Sequence, residues 1–399
     1  MLGGGKALRK KFWENNEEAL LVITAILIVI GSVNIFSASF VRADIDYDNQ
    51  YFFLARHLRF VVLGAVILWI VSRVPYRKWK NWSVGLIMVT LVCLVAVALF
   101  GVEVNGSKRW LNIGFQFQPS ELAKLAVILF TSGYLGNLIN KNRPITVLNK
   151  SMGIVMVIAA IVFLQPDLGT AAIIFALPFG MHVIAGLRHL VRWIFLAAAA
   201  LGLATIAQPY RLQRLAVWFD PWSDPSDRGY QTIQSIIAIG SGGLLGEGLG
   251  MGVSKFSYLP EAHTDFAFAV LCQEMGSVGV AIVFFLLVAF FVYGIQIAMA
   301  CRDGQGKILA VGIVMLITGQ SVSNMAMVCG LLPVIGVPLP FISYGGTSLL
   351  VNMFAVGILI NIGRCNENNR RREEDNPDGG EEQPKPRVRT RLRVVKKGA

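Results

Sequence analysis

Charge is what this chain has least of. Only 15% of its 399 residues are Asp, Glu, Lys or Arg, against about 25% in an ordinary soluble domain. With 55% hydrophobic residues and a mean hydropathy of +0.60, the deficit excludes a string of soluble domains and points to a polytopic membrane protein. Cysteine is sparse and unpaired. Cys93, Cys272, Cys301, Cys329 and Cys365 form no CxxC or CxxxC pair, so a disulfide framework is not expected, and they read as small packed hydrophobes or cytoplasmic thiols. No His, Cys, Asp and Glu cluster has zinc spacing. The glycine cluster from Gly240 to Gly252 lacks both GxGxxG spacing and a βαβ context, which excludes a nucleotide loop. A cleavable leader is not expected, because the first apolar run is not followed by a small-residue cleavage site and reads as a retained span.

What is present is a series of apolar runs close to the 20 residues that cross a hydrocarbon core as a helix. We read ten: 19–39, 55–73, 82–101, 119–138, 151–165, 168–186, 190–207, 265–297, 307–331 and 343–362. The fold class is therefore an all-α polytopic membrane protein. The fifth and sixth runs form a tight hairpin or one broken helix, with Pro166 and Gly169 at the turn. The connections carrying Arg9, Lys10 and Lys11; Arg73, Arg77, Lys78 and Lys80; Lys141 and Arg143; Arg188 and Arg192; and Arg302 and Lys307 alternate along the chain. A ten-span count places all of them on the cytoplasmic side, as the positive-inside rule requires. The expected organisation is a cytoplasmic segment 1–18, a membrane domain 19–363 and a disordered, basic cytoplasmic tail 364–399. Residues 208–263 form a large extracytoplasmic loop, too long for a bare connection, within which 228–239 could be a short amphipathic helix. The net charge of +12 follows this topology and does not argue for nucleic-acid binding.

Ionisable residues within spans are expected to face a cavity or a partner. Glu121 and Lys124 in "SELAKL" share a helical face and read either as functional groups or as a buried ion pair. Asp167 in "QPDLGT" reads as functional or as a helix cap. Asp265 in "LPEAHTDFAF" opens the eighth span and reads the same two ways. Glu274 lies on the opposite face of an ideal helix from Asp265 and reads as structural. His263 reads as an exposed positioning or hydrogen-bonding residue. Outer-loop cations, Lys108, Arg109, Arg211, Arg214, Arg228 and Lys255, singly suggest contact with lipid headgroups. Together with carboxylates they suit an anionic, lipid-linked substrate, whose phosphates the cations hold while a carboxylate acts on a hydroxyl.

The stretches "NGSKRWLNIGFQFQPSELAKLA", "QPDLGTA", "YRLQRLAVWFDPWSDPSDRGYQTIQS", "KFSYLPEAHTDFAFAVLCQEMG" and "LLPVIGVPLPFISYGGTS" run from Asn105 to Ser348. In that order they resemble the SEDS family of bacterial peptidoglycan glycosyltransferases, and their wording resembles its cell-division branch more than its elongation branch. The resemblance implies a ten-helix fold and polymerisation of lipid II into glycan strands at the inner membrane of the division septum. It also implies a class B penicillin-binding protein (a transpeptidase) and other division proteins as partners. It implies Asp265 as the catalytic residue. Arg109, Glu121, Lys124, Asp167 and the segment Ser343, Tyr344, Gly345 and Gly346 are implied as further important positions, and Arg211 and His263 join them as candidate substrate contacts. Gln273 stands where relatives often carry a second acid. The cofactor is left open: a divalent cation such as magnesium could assist the leaving group, but no residues fix a site for it. A lipid II flippase, or a non-catalytic division scaffold, remains the alternative.

Overall fold

The computed structural model describes residues 15–104, 107–206, 209–227, 229–255 and 259–375. Among them the helices are α1 (Asn16–Tyr47), α2 (Phe52–Val71), α3 (Tyr76–Phe100), α4 (Pro119–Asn140), α5 (Lys150–Leu164), α6 (Leu168–Ile184), α7 (Leu190–Ile206), α8 (Pro209–Phe219), α9 (Tyr230–Ser241), α10 (Ala267–Ala300), α11 (Gly304–Val328) and α12 (Gly346–Asp375). Seven of these, α1 to α4 and α10 to α12, are long and apolar enough to cross a membrane. The other three expected spans are the helices α5, α6 and α7, of 15, 17 and 17 residues. At 1.5 Å per residue, 17 residues reach about 25 Å, somewhat short of a hydrocarbon core.

Local chemistry explains the helix starts. Asn149 accepts a hydrogen bond from Met152 N at 3.0 Å and caps α5. Asp303 caps α11 through Gly306 N at 3.3 Å. Pro119 occupies the first turn of α4, where its missing N–H is harmless. The helices sort by burial. About two thirds or more of the apolar window is buried in α4, α11 and α12, against 17% in α2 and 28% in α3 and α10. The first three make the centre of the bundle; the others leave apolar side chains such as Val62, Val92 and Phe285 outside, as suits helices facing lipid tails.

Three features depart from the sequence reading. Between α3 and α4 the chain forms a small antiparallel sheet, β1 (Val102–Val104), β2 (Ser107–Asn112) and β3 (Gln116–Phe117). The last helix runs on to Asp375, into the tail expected to be disordered from Arg364. There Glu367 pairs with Arg370 and Arg371 one turn on, at 2.8 and 3.2 Å, a spacing that supports an exposed helix. Finally, α10 is broken at Gly276, whose φ is +60°. The glycine-rich segment after α9 lies against the break: Gly248 N donates to Glu274 O at 3.1 Å and Ser277 N to Gly243 O at 3.0 Å. A side chain at Gly246 or Gly276 would strike backbone atoms of the other segment. The glycine cluster thus serves close backbone packing.

Candidate active site

Asp265 lies in the turn between Leu259 and α10. The turn is closed by Thr264 N and Phe266 N, which donate to Glu261 O at 3.1 and 3.2 Å, and by Thr264 Oγ1, which donates to Glu261 Oε2 at 2.7 Å. The helix cap is Phe266, so the capping alternative for Asp265 is not realised. Phe266 is buried and Asp265 is partly exposed. Loss of water around the Asp265 carboxyl pushes its pKa up from the usual 3.8 to about 7. The charges of Glu261, Asp167 and Glu121 push the same way, while Arg109 opposes them. Residues far apart in sequence therefore converge on one carboxyl.

Arg109 arrives on β2. Its Nη2 donates to Pro166 O at 2.5 Å, and its Nε lies 3.9 Å from Asp167 Oδ2. That Nε is buried and makes no hydrogen bond, and Asp167 is its ion-pair partner. Asp167 also caps α6, accepting from Thr170 N at 3.1 Å. The capping reading of Asp167 holds: one oxygen ends a helix, and the other faces a guanidinium.

Glu121 and Lys124 are 3% and 1% exposed and paired at 2.7 Å, the arrangement of a buried ion pair. Lys124 Nζ also donates to Gln320 Oε1 at 2.8 Å, and Gln320 Nε2 donates to Pro338 O at 2.9 Å. The pair is thereby tied to the irregular segment 329–345, which contains Pro333, Pro338 and Pro340. His263, expected to be exposed, is 6% exposed, because its ring packs beside Phe53 and Tyr344 at 4.8 and 5.7 Å. Burial pushes the imidazole pKa down to about 4, so it is neutral near pH 7. Tyr344 N donates to His263 O at 2.8 Å, and Ser343 Oγ accepts from Leu339 N at 2.9 Å. Gly345 precedes α12 and Gly346 begins it; a methyl group on Gly346 would strike the Phe60 ring. Tyr344 therefore holds the irregular segment against the Asp265 turn, and Ser343 braces that segment from within. Arg211 is in α8, but its side chain, that of Arg214, and Arg228 as a whole lie outside the described residues.

A family model described as "Cell cycle protein", for FtsW, RodA and SpoVE, matches residues 18–368. The chain belongs to the FtsW/RodA/SpoVE family. Among its relatives, stage V sporulation protein E of Bacillus subtilis (strain 168) is 39% identical over 356 residues, covering 86% of this chain and 96% of that protein. A probable peptidoglycan glycosyltransferase FtsW of Geobacter sp. (strain M18) is 37% identical over 355 residues, covering 88% and 97%. A chain solved in work on the structural coordination of polymerization and crosslinking by a peptidoglycan synthase complex superposes with a TM-score of 0.72. It is 29% identical over 88% of this chain and 98% of that one. The rod shape determining protein RodA of Thermus thermophilus shares the fold, with a TM-score of 0.62, 24% identity and the same coverages.

In this FtsW/RodA/SpoVE chain, a search for charges in spans passes over several residues that build the site. Gln320 and Asn324 are uncharged, and only their amide spacing on one helical face hints at a role. Lys255, grouped with the loop cations that meet lipid headgroups, is instead buried. It pairs with Glu274 at 2.7 Å, and Ser37 Oγ donates to the same carboxylate at 2.6 and 2.7 Å. This confirms Glu274 as a structural anchor, which fastens the end of the long loop to α10 and α1. Among the described residues, no three His, Cys, Asp or Glu side chains gather to hold a metal ion.

Proposed function

We propose that this membrane protein is a peptidoglycan glycosyltransferase that polymerises lipid II, with Asp265 as general base. The observation that carries the residue assignment is the partly exposed Asp265 carboxyl, with a pKa near 7, grouped with Arg109 and Asp167. A general base works best with a pKa near the operating pH. The 4-hydroxyl of the acceptor sugar gives its proton to Asp265, and its oxygen attacks the anomeric carbon of the donor. The bond from that carbon to the polyprenyl pyrophosphate breaks, and the pyrophosphate leaves with the electron pair. The partly exposed Arg109 guanidinium beside Asp167 supports a role in holding that anion. Lys124, 1% exposed and bound to Glu121 and Gln320, acts by positioning, and its charge is felt only at a distance. Magnesium, if used, would be brought with the pyrophosphate, and no step here depends on it.

The activity named for the FtsW relatives and the synthase complex that shares the fold support a class B penicillin-binding protein as partner. The ten-span reading, with cytoplasmic termini and the Asp265 turn on the outer face, suits a substrate whose lipid tail stays in the bilayer. A septal location follows the cell-division wording of the motifs. The test is to purify the chain with its partner transpeptidase in detergent, add lipid II and resolve the glycan products. Wild-type ladders and their loss in Asp265→Asn are expected. Wild-type-like ladders from that variant would remove Asp265 as the base. Lipid transfer across vesicles without any polymer would instead favour a flippase.

A further inference from the structure

We propose that Asn324 is a positioning residue for Asp265, holding the base-bearing turn and the irregular segment 329–345 together through one side-chain amide; this rests on the reading of Asp265 given above. Asn324 Nδ2 donates to Asp265 O and to Val337 O, each at 2.7 Å. Asn324 is 0% exposed. The Tyr344 N–H to His263 O bond and the packing of those two rings also join the segments, but the Asn324 amide is the contact made at Asp265 itself. On the irregular segment, the residue facing the carboxyl is Gly336, in the left-handed region at φ +64°. A Cβ there would lie 3.5 Å from Asp265 Oδ2, so the carboxylate rests directly against the segment that Asn324 holds.

The irregular segment needs such donors. Its three prolines lack N–H groups and prevent helical pairing, yet carbonyls buried within a membrane bundle must find partners. Gln320 and Asn324, one turn apart on α11, bond the successive carbonyls Pro338 O and Val337 O. They follow directly on a π-helical stretch, Met315–Gly319, a local rewinding of the kind found at functional sites. Asn324 differs from Gln320 in one respect. Both ends of the Gln320 amide are bonded, whereas Asn324 Oδ1 is buried without a partner. An orphan acceptor is destabilising, and a residue chosen for core stability alone would avoid it. Its place beside Asp265 fits a residue whose NH2 group is there to hold the turn.

The experiment uses the full chain with its partner transpeptidase and lipid II as the probe. Asn324→Ala is expected to lower kcat about 100-fold, the loss that follows an ångström-scale misplacement, with KM within about threefold of wild type. The acid limb of the kcat/KM profile should also move, because Asp265 would sit differently against Glu261 in its own turn, Asp167 before α6, Arg109 on β2 and Glu121 on α4. A role in folding alone leaves that limb in place. If Asn324→Ala does not accumulate as folded protein, Asn324→Ser, which keeps one donor, supplies the same measurement. Unchanged kcat overturns the proposal. So does a fall in kcat that tracks a fall in melting temperature with the acid limb unmoved. A wild type that makes no polymer overturns the reading of Asp265, and this proposal with it.

Discussion

Neutralising Asp265 should remove activity yet make the folded protein more stable at alkaline pH. The carboxyl pKa rises from 3.8 to about 7 on folding. Between those values the folded chain keeps a proton that the unfolded chain has released, so stability falls as pH rises through this window. Each unit is worth about 1.4 kcal/mol, and a shift of about three units sets a ceiling near 4 kcal/mol. Asp265 is partly open to water, which screens the penalty, so about 2 kcal/mol is the expected effect. Asp265→Asn carries no charge to bury. Its advantage over the wild type should therefore be near zero at about pH 4 and full at about pH 8. Thermal unfolding of both proteins in detergent, followed across that range, measures it. A difference in melting temperature that does not change with pH, or a variant less stable at pH 8 than at pH 5, would refute the reasoning.

The same raised carboxyl predicts the wild-type rate profile. A base must be ionised to act, so kcat/KM for lipid II polymerisation should fall about tenfold per unit below about pH 7; a flat profile from pH 5 to pH 7 would count against the assignment. For the buried pair, Glu121→Gln leaves Lys124 charged and unpaired and should cost about 3–5 kcal/mol, read as a lowered melting temperature. Glu121→Leu with Lys124→Met should recover most of that loss, since apolar replacement of a buried pair is often tolerated.

The long helices were legible because lipid demands runs of apolar side chains: the expected span 119–138 is α4, Pro119–Asn140, and the expected span 265–297 is α10, Ala267–Ala300. The sheet around Arg109 was not, because its strands are too short to show a clear alternation. The helical start of the tail was missed because polarity was read as disorder, although Glu367 and its arginines carry helical spacing. Asp265 was recognised as a candidate from its sequence setting and its motif. Asn324 and Gln320 were missed because they carry no charge, and their roles come from carbonyls contributed by a different segment.

Composition and order of residues, by themselves, determine that this chain is a helical membrane protein, where most of its helices run and which carboxylates stand out in apolar surroundings. Those are properties of one residue against its neighbours in sequence, and transfer from water to lipid acts on them locally. Which alternative each carboxylate adopts was decided only by tertiary structure. Asp167 caps a helix and faces Arg109, Glu121 is neutralised by Lys124, Glu274 is claimed by Lys255, and Asp265 is left with a raised pKa at the edge of water. Burial and Coulomb interactions depend on distance in space, and the bundle brings β2, α4, α6, the turn before α10 and the irregular segment after α11 to one place.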